Sequence, residues 1–145
     1  MKRITRDKLY TEIATLFSQR STCKRLQVGC VITKDGRIIA SGYNGPPKSF
    51  PHSSDNDGSC LCDITKPCTK SIHSEANAIS FSARNGIKLE GTTMYCTHSP
   101  CVKCAELIVQ SGVKSVIYID EFRDIEGVVL LASNGVKVEQ YNDAE

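Results

Sequence analysis

Four of the eight cysteines in this 145-residue chain stand in close pairs, Cys60-x-Cys62 and Cys101-x-x-Cys104, and that spacing constrains the fold more than any other feature. An even number of cysteines is compatible with the disulfide framework that small secreted domains use in place of a core. The pairs argue against one, because residues two or three apart close almost no loop, whereas they readily share a metal ion. The chain is also long enough to bury a core without staples. Its opening residues, Met1 to Arg6, are basic and run into an amphipathic segment rather than an apolar signal sequence. Metal binding in the cytoplasm is therefore the expectation. Apolar residues make up 40% and charged residues 23%, an ordinary balance, and no apolar run is long enough to span a membrane. A formal net charge of +2 gives no reason to expect nucleic acid as a partner.

Periodicity organises the remainder. Leu9, Ile13, Leu16 and Phe17 recur at helical spacing, so a first helix is expected from Arg6 to Arg20 with these residues as its apolar face. Val28 to Thr33 and Arg37 to Gly42 are β-branched stretches flanking Lys34-Asp35-Gly36, and Asp-Gly between two such runs predicts a hairpin. Residues 45–70 are rich in Pro, Ser, Asp and Cys and are expected to form a long ordered insertion loop. Beyond them the expected elements alternate. A helix from Ile72 to Asn85 stops at Gly86, a strand covers Thr92 to Thr97, and a helix from Cys101 to Ser111 ends at Gly112. A strand from Lys114 to Ile119, a helix from Glu126 to Ala132 and a strand from Val136 to Gln140 complete the series. This order predicts one α/β domain over residues 1–145, with a mixed five-stranded sheet and helices on both faces.

Two short segments carry the chemistry. His73-Ser74-Glu75 falls at the expected start of one helix and Pro100-Cys101-Val102-Lys103-Cys104 at the start of another. Cys101 and Cys104, three apart, share a helix face, and His73 would supply a third ligand. Three protein ligands leave the fourth tetrahedral position for water, the arrangement of a catalytic rather than a structural zinc. Zinc lowers the pKa of a bound water to about 7, and Glu75, a carboxylate beside it, would take its proton and pass it on to the substrate. Side chains two apart diverge in mid-helix, but at a helix N-terminus both can project past the end toward one point. Singly the signals are weak: a lone histidine is more often structural, and Cys-x-x-Cys alone suits a redox pair or half of a structural zinc site. Jointly, His-x-Glu and Pro-Cys-x-x-Cys resemble the signature of the zinc-dependent deaminases.

The resemblance extends along the chain. Gly42-Tyr43-Asn44-Gly45, Ile72-His73-Ser74-Glu75-Ala76-Asn77-Ala78-Ile79 and Thr93-Met94-Tyr95-Cys96-Thr97-His98-Ser99-Pro100-Cys101 are similar to the deoxycytidylate (dCMP) deaminases of bacteria and phages. So are Val28-Gly29, Gln110-Ser111-Gly112 and the spacing of these blocks, from about Ser21 to Val138. The resemblance implies the three-layer α/β/α sandwich of the cytidine deaminases. It implies deamination of dCMP to dUMP and ammonia, supplying dUMP for dTMP synthesis. It also implies a homohexamer activated by dCTP and inhibited by dTTP, with Gly42 to Lys48 as the control loop, including Tyr43, Asn44 and Gly45. Asn44 would hold the sugar or base edge, and Arg84 would help bind the 5′-phosphate, with Arg25 as a second candidate. A guanidinium suits phosphate through its fork of donors, although a solvated surface charge is the alternative for either arginine. Phe122 stands where many members have tyrosine, so it would pack against the nucleotide without a phenol hydrogen bond. Ser74 stands where the best-known pattern has alanine, and little consequence is expected because it does not carry the proton.

The family also implies a second, structural zinc. Here its ligands would be Cys23, Cys60, Cys62 and Cys68, with His52 as an alternative because Ser53 occupies one family cysteine position. Such a site would pin the polar loop. Cys30 and Cys96, inside strands, read as small buried hydrophobes. The rival functions are a nucleoside, nucleobase or tRNA-adenosine deaminase with the same zinc core, and a non-catalytic zinc-stabilised nucleotide-binding module. The small net charge speaks against a tRNA editor, and Glu75 against a non-catalytic module.

Overall fold

Asp35 and Gly36 both adopt positive φ, 52° and 76°, the backbone that a two-residue hairpin turn needs if it is to match the strand twist. They join β1 (Gly29–Lys34) to β2 (Arg37–Tyr43) with Lys34 opposite Arg37, where the sequence placed the turn. The computed structural model that shows this describes residues 1–23, 25–48 and 71–143. On its other side β1 pairs antiparallel with β3 (Thr93–His98), and β3, β4 (Ser115–Asp120) and β5 (Lys137–Gln140) run parallel. The result is one mixed sheet in the order β2-β1-β3-β4-β5. Parallel neighbours need crossovers, which α3 (Val102–Ser111) and α4 (Glu126–Ser133) provide.

Alternation along the strands sorts side chains to two faces. Val31, Tyr95 and Ile117 pack with Tyr10, Ile13, Ala14 and Phe17 of α1 (Arg6–Ser18). Their neighbours Cys30, Ile32, Met94, Cys96, Val116 and Tyr118 pack instead with Ala78 of α2 (Ser74–Arg84), Ala105 and Ile108 of α3, and Leu131 of α4. The layers are thus one helix, five strands and three helices.

The structure corrects the sequence reading in four places. The packing face of α1 centres on Tyr10, Ala14 and Phe17, while Leu9 and Leu16 are 38% and 62% exposed. Those two leucines lie roughly 100° round the helix from the buried centre, too far to reach the sheet. The helix expected from Ile72 begins at Ser74, because Ile72 is held in a β-bridge with Gly45 through hydrogen bonds of 2.8 and 3.1 Å. The helix expected from Cys101 begins at Val102, with Cys101 as its cap. Tyr43, expected in the control loop, belongs to β2, and β2 approaches α2 so closely there that a Cβ on Gly42 would stand 2.3 Å from the Ser74 carbonyl oxygen. Residues 49–70 of the Cys-rich insertion, including His52, Cys60, Cys62 and Cys68, lie outside the described residues. Among the described residues no helix is long and apolar enough to cross a membrane.

Candidate active site

Two helix starts meet beside the carboxyl end of β3. His73 caps α2 and Cys101 caps α3, both with extended backbone (ψ 153° and 171°), and neither side chain makes a capping hydrogen bond. They face each other instead. His73 Nδ1 lies 3.4 Å from Cys101 Sγ and 3.4 Å from Cys104 Sγ, although the residues are far apart in sequence. The three donor atoms fall within 4.8 Å of one another, the one such His, Cys, Asp or Glu group among the described residues. Tetrahedral zinc with bonds of about 2.3 Å to sulfur and 2.0–2.1 Å to nitrogen separates such atoms by about 3.5 Å, so this donor set fits zinc with one position left for water or substrate. α4 supports the cluster from behind: a Cβ on Gly127 would stand 2.1 Å from the Pro100 carbonyl oxygen and 2.8 Å from the Cys101 carbonyl carbon.

Within this group Cys101 is the thiol whose pKa is lowered. The hydrogen bond from Cys104 and the contact with His73 hold its thiol down to about 4 despite burial. Cys104 is pushed up by the same bond to Cys101, by burial and by the adjacent Glu75 carboxylate. His73 is raised, chiefly through its hydrogen bond with Cys101. Glu75, in the first turn of α2, is only 4% exposed and lies where a helix N-terminus favours negative charge. The cluster opens into a cleft of about 420 Å³, a size suited to a small organic ligand. Its lining includes Arg25, Asn44, Ser71, His73, Glu75, His98, Cys101, Phe122, Arg123 and Asp124.

A family model of the cytidine and deoxycytidylate deaminase zinc-binding region matches residues 4–120. The chain belongs to this deaminase family. Among curated proteins it is 38% identical to ComE operon protein 2 of Bacillus subtilis, over 97% of this chain and 73% of that protein. It is 34% identical to the deoxycytidylate deaminase of Saccharomyces cerevisiae over 96% of this chain, but spans only 46% of that longer protein. Among solved structures, the dCMP deaminase of cyanophage S-TIM5, in complex with dCMP and dUMP, superposes with a TM-score of 0.86. It is 35% identical, and the match covers 97% of this chain and 100% of that one.

The deaminase fold brings most of the expected site residues together. His73, Cys101 and Cys104 form the donor cluster, Glu75 sits against it, and Asn44, Arg25 and Phe122 line the same cleft. Asn44 does something the sequence did not suggest. Its Oδ1 accepts from the Val28 N–H and its Nδ2 donates to the Leu26 carbonyl, both at 2.8 Å, so its amide braces the cleft wall that carries Arg25. Arg84 is not brought to the cleft. It is exposed in the last turn of α2, eleven residues from His73 and hence roughly 16 Å along the helix, because sharing a helix does not mean sharing an end. Cys23 also lines the cleft, while its proposed metal partners lie outside the described residues. Cys30 and Cys96 are fully buried, as expected, and none of the five described cysteines is in a disulfide.

Sequence reasoning missed Ser71, His98, Arg123 and Asp124. His98 ends β3, with Nδ1 2.9 Å from Thr97 Oγ1, and residues 122–124 follow the end of β4. Ligands of α/β sheets gather outside the carboxyl ends of parallel strands, so the residues following the third and fourth strands were the signal available. Ser71 Oγ is buried with no hydrogen-bond partner among the described residues.

Proposed function

We propose that this chain converts dCMP and water to dUMP and ammonia. The observation that carries the reading is the cleft itself, which places a buried carboxylate against a His-Cys-Cys donor set and lines its walls with arginines. The full-length likeness to a phage enzyme solved with dCMP and dUMP supports it. His73, Cys101 and Cys104 would hold a zinc ion, which would supply Lewis acidity toward water. Glu75 takes a proton from the attacking water and delivers it to N3 of the cytosine ring. It then carries a second proton to the 4-amino group, so that the C4–N bond breaks, ammonia leaves and the C4 oxygen remains as the carbonyl of dUMP. Phe122 offers the ring an apolar wall. Arg25, on the cleft wall, would meet the 5′-phosphate, since a guanidinium forms charge-assisted, bidentate bonds with phosphate oxygens.

Three further elements complete the proposal: assembly into a homohexamer, activation by dCTP with inhibition by dTTP, and a cytoplasmic location. They are supported by the resemblance of the sequence blocks to dCMP deaminases. The test is ammonia release from dCMP, CMP, deoxycytidine and dCTP supplied separately to the zinc-loaded protein. Strong preference for dCMP is the expected outcome, and preference for deoxycytidine would remove the nucleotide reading.

A further inference from the structure

Ser74 lies between the zinc ligand His73 and the proton carrier Glu75, and its side chain is fully buried. Its backbone is fixed from two sides. The Cys30 thiol donates to the Ser74 carbonyl oxygen at 3.3 Å, and Gly42 of β2 packs against the same oxygen. The turn it belongs to is tied to β2, since Asn77 Nδ2 donates to the Tyr43 carbonyl at 3.0 Å. A serine in a helix commonly turns its hydroxyl back to the backbone. Here the Ser74 hydroxyl donates to Oε1 of Glu75.

That bond matters because the terminal torsion of a glutamate is broad and poorly defined by its own rotamer preferences. A carboxylate held at one oxygen samples fewer orientations, and Glu75 also neighbours the Cys104 thiol. We propose that Ser74 is a positioning residue, whose hydroxyl holds Oε1 of Glu75 and leaves Oε2 as the oxygen that moves protons. This rests on the reading of Glu75 as proton carrier and assigns a role to a side chain that the sequence alone left without one. Geometry lost at a reacting group lowers turnover rather than substrate binding.

The test compares Ser74→Ala, Ser74→Thr and Glu75→Gln with the parent zinc enzyme, measuring zinc content, melting temperature, and kcat and KM for dCMP. Ser74→Ala is expected to keep its zinc and its KM while kcat falls about tenfold. Ser74→Thr, which retains the hydroxyl, is expected to recover most of that loss. A Ser74→Ala kcat within about threefold of the parent overturns the proposal. So does joint loss of zinc and kcat, which would make Ser74 a support of the metal site, and so does a Ser74→Thr enzyme as slow as Ser74→Ala. Glu75→Gln separates this from the reading beneath it. If that variant turns over normally, Glu75 is not the proton carrier; if it is inactive while Ser74→Ala is fully active, only the positioning role falls.

Discussion

Gly127 of α4 and Pro100 of the zinc-ligand segment touch so closely that a β-carbon on the glycine would stand 2.1 Å from the proline carbonyl oxygen. Since Cys101 follows Pro100 directly, α4 sets the position of a metal ligand by contact with its backbone. Gly127→Ala must therefore displace either the helix or the ligand segment. Overpacking of this kind costs about 1–3 kcal/mol. We expect a lower melting temperature together with faster zinc loss to a chelator such as EDTA. Retention of zinc at the parental rate would show that the segment holds its shape without the helix.

Glu75→Gln keeps the size and burial of the side chain but removes its ability to accept a proton. Zinc content is expected to stay at the parental level while ammonia release from dCMP falls by about 10²–10⁴. Metal analysis and the rate should be read on one sample. Activity within a few-fold of the parent would show that another group moves the protons.

The parts of the site legible in the sequence were those held by local geometry. Cys101 and Cys104 are one helical turn apart, and His73 and Glu75 share one helix start, so spacing alone placed them. The Asp35-Gly36 turn was equally local. The cleft walls were not local. His98 and Arg123 line one cleft because β3 and β4 are parallel neighbours whose ends open on the same side, and that depends on strand order rather than on either segment's composition. Arg84 came from the resemblance rather than from any local pattern, and its helix carries it away from the cleft. Ser74 was set aside as bystander chemistry because no sequence pattern reveals that its hydroxyl meets the neighbouring carboxylate.

Alkaline pH should unfold this protein sooner than its composition suggests. Burial pushes the thiols of Cys30 and Cys96 well above their ordinary value, with the Glu75 carboxylate adding to both. Tyr95 is also raised, by burial and by its 2.7 Å hydrogen bond to Asp7. The folded chain thus holds these three protons more tightly than the unfolded chain does. Their contribution is complete below the unfolded values, about 8.5 for a thiol and 10 for a phenol, and is lost as pH rises above them. The urea midpoint is expected to be level near neutrality and to fall from about pH 9 upward. A midpoint unchanged to pH 11 would mean that these groups ionise without opening the fold.

Arg25 is the residue we propose to distinguish a nucleotide from a nucleoside. It lines the same cleft as Glu75 and stands next to the segment that Asn44 braces through Leu26 and Val28. A hydrogen bond to a charged partner is worth about 1.5–3 kcal/mol, roughly ten- to a hundredfold in specificity. Arg25→Ala should therefore lower kcat/KM for dCMP by that factor and leave the slow reaction with deoxycytidine nearly unchanged, since the nucleoside has no phosphate to lose. Arg25→Lys should recover part of the loss, because an ammonium keeps the charge but not the bidentate fork. Asn44→Ala offers a second view of the same wall. Freed from the brace, the segment carrying Arg25 should lose part of the same phosphate-dependent selectivity, and the melting temperature should fall as two hydrogen bonds to the backbone are given up. Equal slowing of dCMP and deoxycytidine by Arg25→Ala would place the phosphate elsewhere, with Arg123, which lines the same cleft, as the residue to test next.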